Sequence, residues 1–151
     1  MRYAVQFGYY SGWFAGIMVD KLPTFISGLS AGGLSALSFA TLGLISTTNW
    51  TTGVAILTVV YLIVAGYAAG IATISSMVHI ILNFNRVIAI LPIALVICYM
   101  KLAPAFDEAV RTIIFPDADL ISYFLYQAAI TAGVYIISSI FCRKIDMTIE
   151  H

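Results

Sequence analysis

Few side chains in this sequence could do chemistry, and their spacing keeps them apart. His79 sits inside the apolar run ATISSMVHIIL. An ionisable group at membrane depth is a functional candidate by default. A general base needs an orienting partner, however, and a metal needs further ligands. No carboxylate or second ligand lies near His79 along the chain, so its expected role is a hydrogen bond between helices. Asp107 and Glu108 are adjacent and would point in different directions on a helix, whereas Asp107 and Arg111 are spaced to pair on its surface. Cys98 and Cys142 form no CxxC pattern and read as isolated thiols. The chain has no glycine-rich phosphate loop, HExxH or nucleophile elbow. The residues point away from an enzyme, and no cofactor or metal is expected.

The elements that must position these groups follow from composition. Hydrophobic residues make up 62% of the 151 positions and charged residues only 9%, against roughly 25% charged in an ordinary globular domain. A formal net charge of zero gives no electrostatic footprint for nucleic acid. Between Lys21 and Arg86 there is no Asp, Glu, Lys or Arg. A helical crossing of the hydrocarbon needs about 20 apolar residues, so this run has room for two. Further apolar runs extend from Val87 to Ala103 and from Leu120 to Cys142, the last closed by Arg143 and Lys144.

Backbone amides must be paired in lipid, and these runs do not alternate as barrel strands do, so the expected class is all-α. The chain reads as a single membrane-type helical domain over 1–151, with long helices over about 23–46, 54–82, 87–103 and 120–142 and a short amphipathic piece over 105–115. Met1 to Lys21 reads as an aromatic lead interrupted by polar residues, without the clean apolar core of a cleavable signal. Pro23 suits a helix start, and Pro116 with Asp117 and Asp119 suits a stop before the last helix. The segment Asn83–Arg86 fits either a surface loop or the middle of one long helix from Val54 toward Met100.

The stretch SGLSAGGLSALSFATLGL, residues 27–44, is free of charge and rich in small side chains. At helical spacing Gly28, Gly32, Ala36 and Ala40 form one stripe, with Ser27, Ala31 and Ser35 beside it. Gly66 and Gly70, flanked by Ala65, Ala69 and Thr73, repeat the device. Such stripes let two backbones approach closely, either within one chain or between copies in a homo-oligomer. Orientation follows from the basic residues. Four crossings with both ends cytoplasmic place Arg2, Lys21, Arg86, Arg143 and Lys144 inside and leave Lys101 and Arg111 outside. Three crossings with the same cytoplasmic C-terminus put most of the basic residues outside. The four-crossing count is therefore favoured, and Arg143 and Lys144 are assigned to topology. Ser38, Thr41, Ser75, Ser76 and Thr131 are too sparse for a pore lining, and no internal repeat of a transporter is present beyond the small-residue spacing.

The C-terminal third runs in a set order: FDEAVRTIIF, then PDADL, then ISYFLYQAAITAGVYIISSIF, then CRKI. This amphipathic piece, acidic turn, apolar helix and basic cluster, over roughly residues 95–146, resembles the C-terminal part of the gene VI minor coat proteins of filamentous bacteriophages. The chain is longer than the better-known members and carries the Gly/Ser-rich helix in addition. The resemblance implies a non-enzymatic structural protein that waits as a multi-pass protein in the host inner membrane. It then leaves at the virion tip as a small ring, beside the major coat protein and holding the adsorption protein. The alternative is a resident multi-span membrane subunit or, further off, a holin or channel. Gly32→Leu is expected to disrupt assembly more than membrane insertion, because it raises apolarity while blocking backbone approach; equal loss of both would contradict this.

Overall fold

A computed structural model describes residues 2–49, 51–84, 86–115 and 120–146. They form six helices: α1 (Arg2–Tyr10), α2 (Gly12–Lys21), α3 (Thr24–Ile45), α4 (Thr52–Asn83), α5 (Arg86–Ile114) and α6 (Leu120–Asp146). No strand occurs among the described residues, so the protein is all-α. Three stretches are long and apolar enough to cross a membrane: Phe25–Ile45, Thr52–Asn83 and Leu120–Ile140. In α5 the shorter stretch Ile88–Cys98 is apolar.

Local chemistry sets the boundaries. Pro23, at φ −52° and ψ 141°, precedes α3, and its carbonyl accepts from the amides of Ile26 and Ser27 at 2.8 and 3.1 Å. At the other end of α3 the hydroxyls of Ser46, Thr47 and Thr48 donate to the carbonyls of Gly43, Leu44 and Ile45 at 2.6, 2.8 and 2.8 Å. These bonds satisfy acceptors that a helix end leaves open. Thr51 caps α4 by accepting from the Val54 amide at 3.3 Å. At its far end, Asn83 Nδ2 donates to the His79 carbonyl at 2.8 Å, and Phe84 turns extended at φ −115° and ψ 143°. An Asn side chain that competes for backbone in this way ends a helix. The chain therefore breaks at Phe84, and a single helix from Val54 toward Met100 is not formed.

Two expectations are corrected. The division between a helix over 87–103 and an amphipathic piece over 105–115 is absent, because α5 runs unbroken through both Pro92 and Pro104. Each proline removes one hydrogen bond without ending the helix, as apolar membrane helices tolerate. The aromatic lead, to which the sequence assigns no element, forms α1 and α2. The two are joined at Ser11, whose amide donates to the Phe7 carbonyl at 3.0 Å and whose hydroxyl donates to the Gly8 carbonyl at 2.6 Å.

Helix α4 is the centre of the bundle and touches every other helix. Helix α3 lies between α4 and α6, antiparallel to both. Gly28, Gly32, Ser35 and Gly43 meet Ser139, Tyr135, Thr131 and Phe124 in turn. The core gathers Ala15, Val19, Ala31 and Ile71, with Leu34, Tyr67, Ile74 and Val78 packed against them.

The direction of α1 and α2 has a consequence for topology. Val5 and Tyr9 of α1 lie at Gly66 and Gly8 at Ile63, whereas Ala15 and Val19 of α2 join the cluster containing Tyr67, Ile71, Ile74 and Val78. Helix α2 thus runs along α4 in its own direction, and α1 crosses α4 at Gly66 and Ile63. Lys21, Arg86, Arg143 and Lys144 come together at one end of the bundle. In a chain with Cys98 and Cys142 replaced by Ser, Asp20→Cys and Thr48→Cys, which flank the apolar stretch Phe25–Ile45, should label with a membrane-impermeant maleimide from opposite faces of the membrane. Labelling of both from one face would contradict a crossing by α3.

Candidate functional site

Among the described residues the closest approaches are contacts between helices. Helix α3 carries two of them on adjoining faces. Toward α6, a Cβ added at Gly28 would run into Ser139 Oγ, one at Gly32 would stand 3.1 Å from Tyr135 Cβ, and one at Gly43 3.4 Å from Phe124 Cβ. Toward α2 and α4, Ala31 is fully buried, and Ser27 and Ser38 are closed off beside it. Ala36 and Ala40 are half-buried on the same helix.

The second contact joins α4 to α1 and is tighter. A Cβ at Gly66 would meet the carbonyl oxygen of Val5, and one at Gly8 would meet the carbonyl oxygen of Ile63. Each glycine thus receives the other helix's backbone, and Gly70 is buried one turn further on. Backbone cannot swing aside as a flexible side chain can. This contact therefore depends on the absence of a side chain at two positions.

Of the predicted stripe residues, Gly28 and Gly32 therefore face α6 and Gly66 faces α1 within one chain. Gly8 and Gly43 are equal members that the sequence reading passed over. The spacing of Gly8, Gly12 and Gly16 was an available signal, obscured by the aromatic residues between them. Arg143 and Lys144 lie in the last turns of α6, and their side chains are outside the described residues.

Polar groups reinforce the α3–α6 seam. Ser35 Oγ donates to Thr131 Oγ1 at 3.1 Å, and Thr131 donates in turn to the Gln127 carbonyl at 2.6 Å. Gln127 reaches outward as well, donating from Nε2 to Asp107 Oδ1 at 2.8 Å and to the Tyr123 hydroxyl at 3.2 Å. Asp107, expected to pair with Arg111, thus binds α6 instead and ties the second half of α5 to it. Phe115 supports the same corner, with ring centroids 6.0 Å from Tyr123 and 5.4 Å from Tyr126.

The other candidates stay dispersed. His79 is half-buried near the end of α4, with Asn83 Nδ2 3.3 and 3.4 Å from its two ring nitrogens. Cys98 is an exposed free thiol, while Cys142 falls outside the described side chains. Among the described residues no group of three or more His, Cys, Asp or Glu is placed to hold a metal ion.

No family model matches this chain, and neither does any curated protein or solved structure.

Substituting alanine along the glycines tests the contacts directly. Gly66→Ala should destabilise by about 2–3 kcal/mol, the upper part of the overpacking range, because its methyl meets backbone. Gly32→Ala should lose about 1 kcal/mol, since Tyr135 needs to yield by only a few tenths of an ångström. Gly33→Ala meets open space and should be neutral or stabilising by up to about 1 kcal/mol. Reversible unfolding in mixed micelles would measure the order. Equal effects at Gly66 and Gly33 would contradict it.

Proposed function

We propose that this protein is a structural, non-catalytic component of a filamentous phage particle, held in the host inner membrane before assembly and carried into the virion tip. The observation that carries the reading is the division of surfaces in the bundle. Small residues meet inside the chain, while large apolar side chains face outward along α4, α5 and α6. On α5, Ile88, Ile90, Leu91, Leu95, Leu102 and Ile113 are all exposed. The helix is held by α4 near its start, where Ala89 is buried, and by Asp107 on α6 further along.

An apolar exterior of this size has no place in water. It suits a protein that passes from one apolar environment to another. In lipid, acyl chains cover these faces. In a particle, neighbouring coat helices cover them and water is excluded. The order of amphipathic segment, acidic turn, aromatic helix and basic cluster supports the same reading through its resemblance to gene VI coat proteins. A homo-oligomeric ring would then be built from the outward faces of α4, α5 and α6. Neighbours would be the major coat protein and the adsorption protein. Basic residues gathered at one end, Arg143 and Lys144 among them, would hold that end in the cytoplasm before assembly.

Fractionation of producing cells followed by peptide mass spectrometry of purified filaments tests the proposal. A few copies per particle, with the remaining pool in the inner membrane, is the expected result. Recovery from the membrane alone would overturn the coat role and leave a resident multi-span subunit. Within the coat reading, Leu91→Ala, which keeps the exposed α5 face apolar, should change the stability of the isolated protein by no more than about 0.5 kcal/mol, while lowering incorporation several-fold. Incorporation at the unsubstituted level would remove α5 from the assembly surface.

A further inference from the structure

Where α3, α4 and α6 meet, a pocket of about 40 Å³ is lined by Gly28, Ala72, Ser75, Ser76, Ser138 and Ser139, beside Tyr135. Its hydroxyls are not equivalent. A serine has one hydrogen to donate and two lone pairs to offer. Ser76 spends its hydrogen on the Ala72 carbonyl at 2.8 Å, Ser138 on the Val134 carbonyl at 2.7 Å and Ser139 on the Tyr135 carbonyl at 2.6 Å. These three present acceptors only. Ser75 differs: it is 5% exposed, lines the pocket, and takes part in no hydrogen bond among the described residues. No fully enclosed side-chain N or O among the described residues lacks a partner, so the accessible remnant of Ser75 Oγ opens into the pocket.

The pocket thus holds one unspent donor opposite three sets of acceptor lone pairs. Apart from the Tyr135 phenol it has no titratable lining, and an ion there would lack a countercharge. A water needs about 10–15 Å³ and commonly makes about three hydrogen bonds. We infer that this junction is a binding site for structural water, in which one molecule accepts from Ser75 and donates to hydroxyls on α4 and α6. That water joins two helices that otherwise meet little, at the level where Gly28 brings α3 against Ser139. An unbonded hydroxyl in this low-dielectric setting is unfavourable, and the water relieves that cost.

Nuclear magnetic resonance on the full chain in lipid nanodiscs tests the site through cross-relaxation between water and methyl protons. The Ala72 methyl lines the pocket, whereas the Ala68 methyl is fully buried in the same helix away from it. The expected result is a water cross-peak at Ala72, none at Ala68, loss of the Ala72 peak in Ser75→Ala and its retention in Ser75→Thr. No water cross-peak at Ala72 in the unsubstituted protein would overturn the proposal, whatever the variants do. So would a cross-peak to lipid acyl protons in its place, or a water peak that survives unchanged in folded Ser75→Ala.

Discussion

Two helices in lipid gain nothing by hiding leucines from each other, because the acyl chains they leave are as apolar as the partner they meet. What remains is contact at short range, and it is available only where side chains are small enough for backbones to touch. This constraint organises the bundle. Helix α4 receives the backbone of α1 at Gly66, and α1 receives that of α4 at Gly8. Helix α3 lies against α6 through Gly28, Gly32 and Gly43. The remaining polar groups are spent locally. Apart from Ser75, serine and threonine hydroxyls such as those of Ser38, Thr58, Thr73 and Ser139 donate to carbonyls of their own helix and so enter the apolar bundle with their donors met. The bond from Ser35 to Thr131 is an exception that crosses between helices, and it fixes the register of α3 on α6.

From the same constraint comes the division between inside and outside. In a water-soluble bundle the large apolar residues fill the centre. Here the centre takes Ala15, Ala31, Ala65, Ala68 and the glycines, and leucine and isoleucine line much of the exterior. Such a molecule is stable only while something apolar surrounds it. A bilayer meets that need, and in the proposed function a sheath of coat helices would meet it as well.

Much of this was legible in the sequence. The charge-free runs fixed the existence of α3, α4 and α6, since long apolar segments in lipid have one way to pair their amides. The small-residue stripes were legible as contact surfaces, but their partners were not. Helical spacing says which residues share a face and nothing about which helix arrives there. The pairing of Gly28 with Ser139 spans most of the chain, beyond any local pattern. Helices α1 and α2 were hidden by composition, because Gly8, Gly12, Ser11 and the tyrosines around them resemble a loop in water. They become helical where α4 offers a glycine to receive their backbone. In α5 the prolines suggested boundaries that the apolar setting does not enforce. Asp107 was assigned to Arg111 by spacing on its own helix, yet tertiary contact gives it to Gln127.

The central claim is that the small-residue faces close seams within one chain and leave the large apolar faces for the surroundings. Its most direct test is disulfide trapping of Ser35→Cys with Thr131→Cys, positions whose hydroxyl oxygens lie 3.1 Å apart, in a chain with Cys98 and Cys142 replaced by Ser. Oxidised in native membranes, the pair should give an internally bridged monomer of raised mobility on a non-reducing gel, at every expression level. A bridged dimer in its place, growing with expression, would show that the stripe joins copies and would contradict the account.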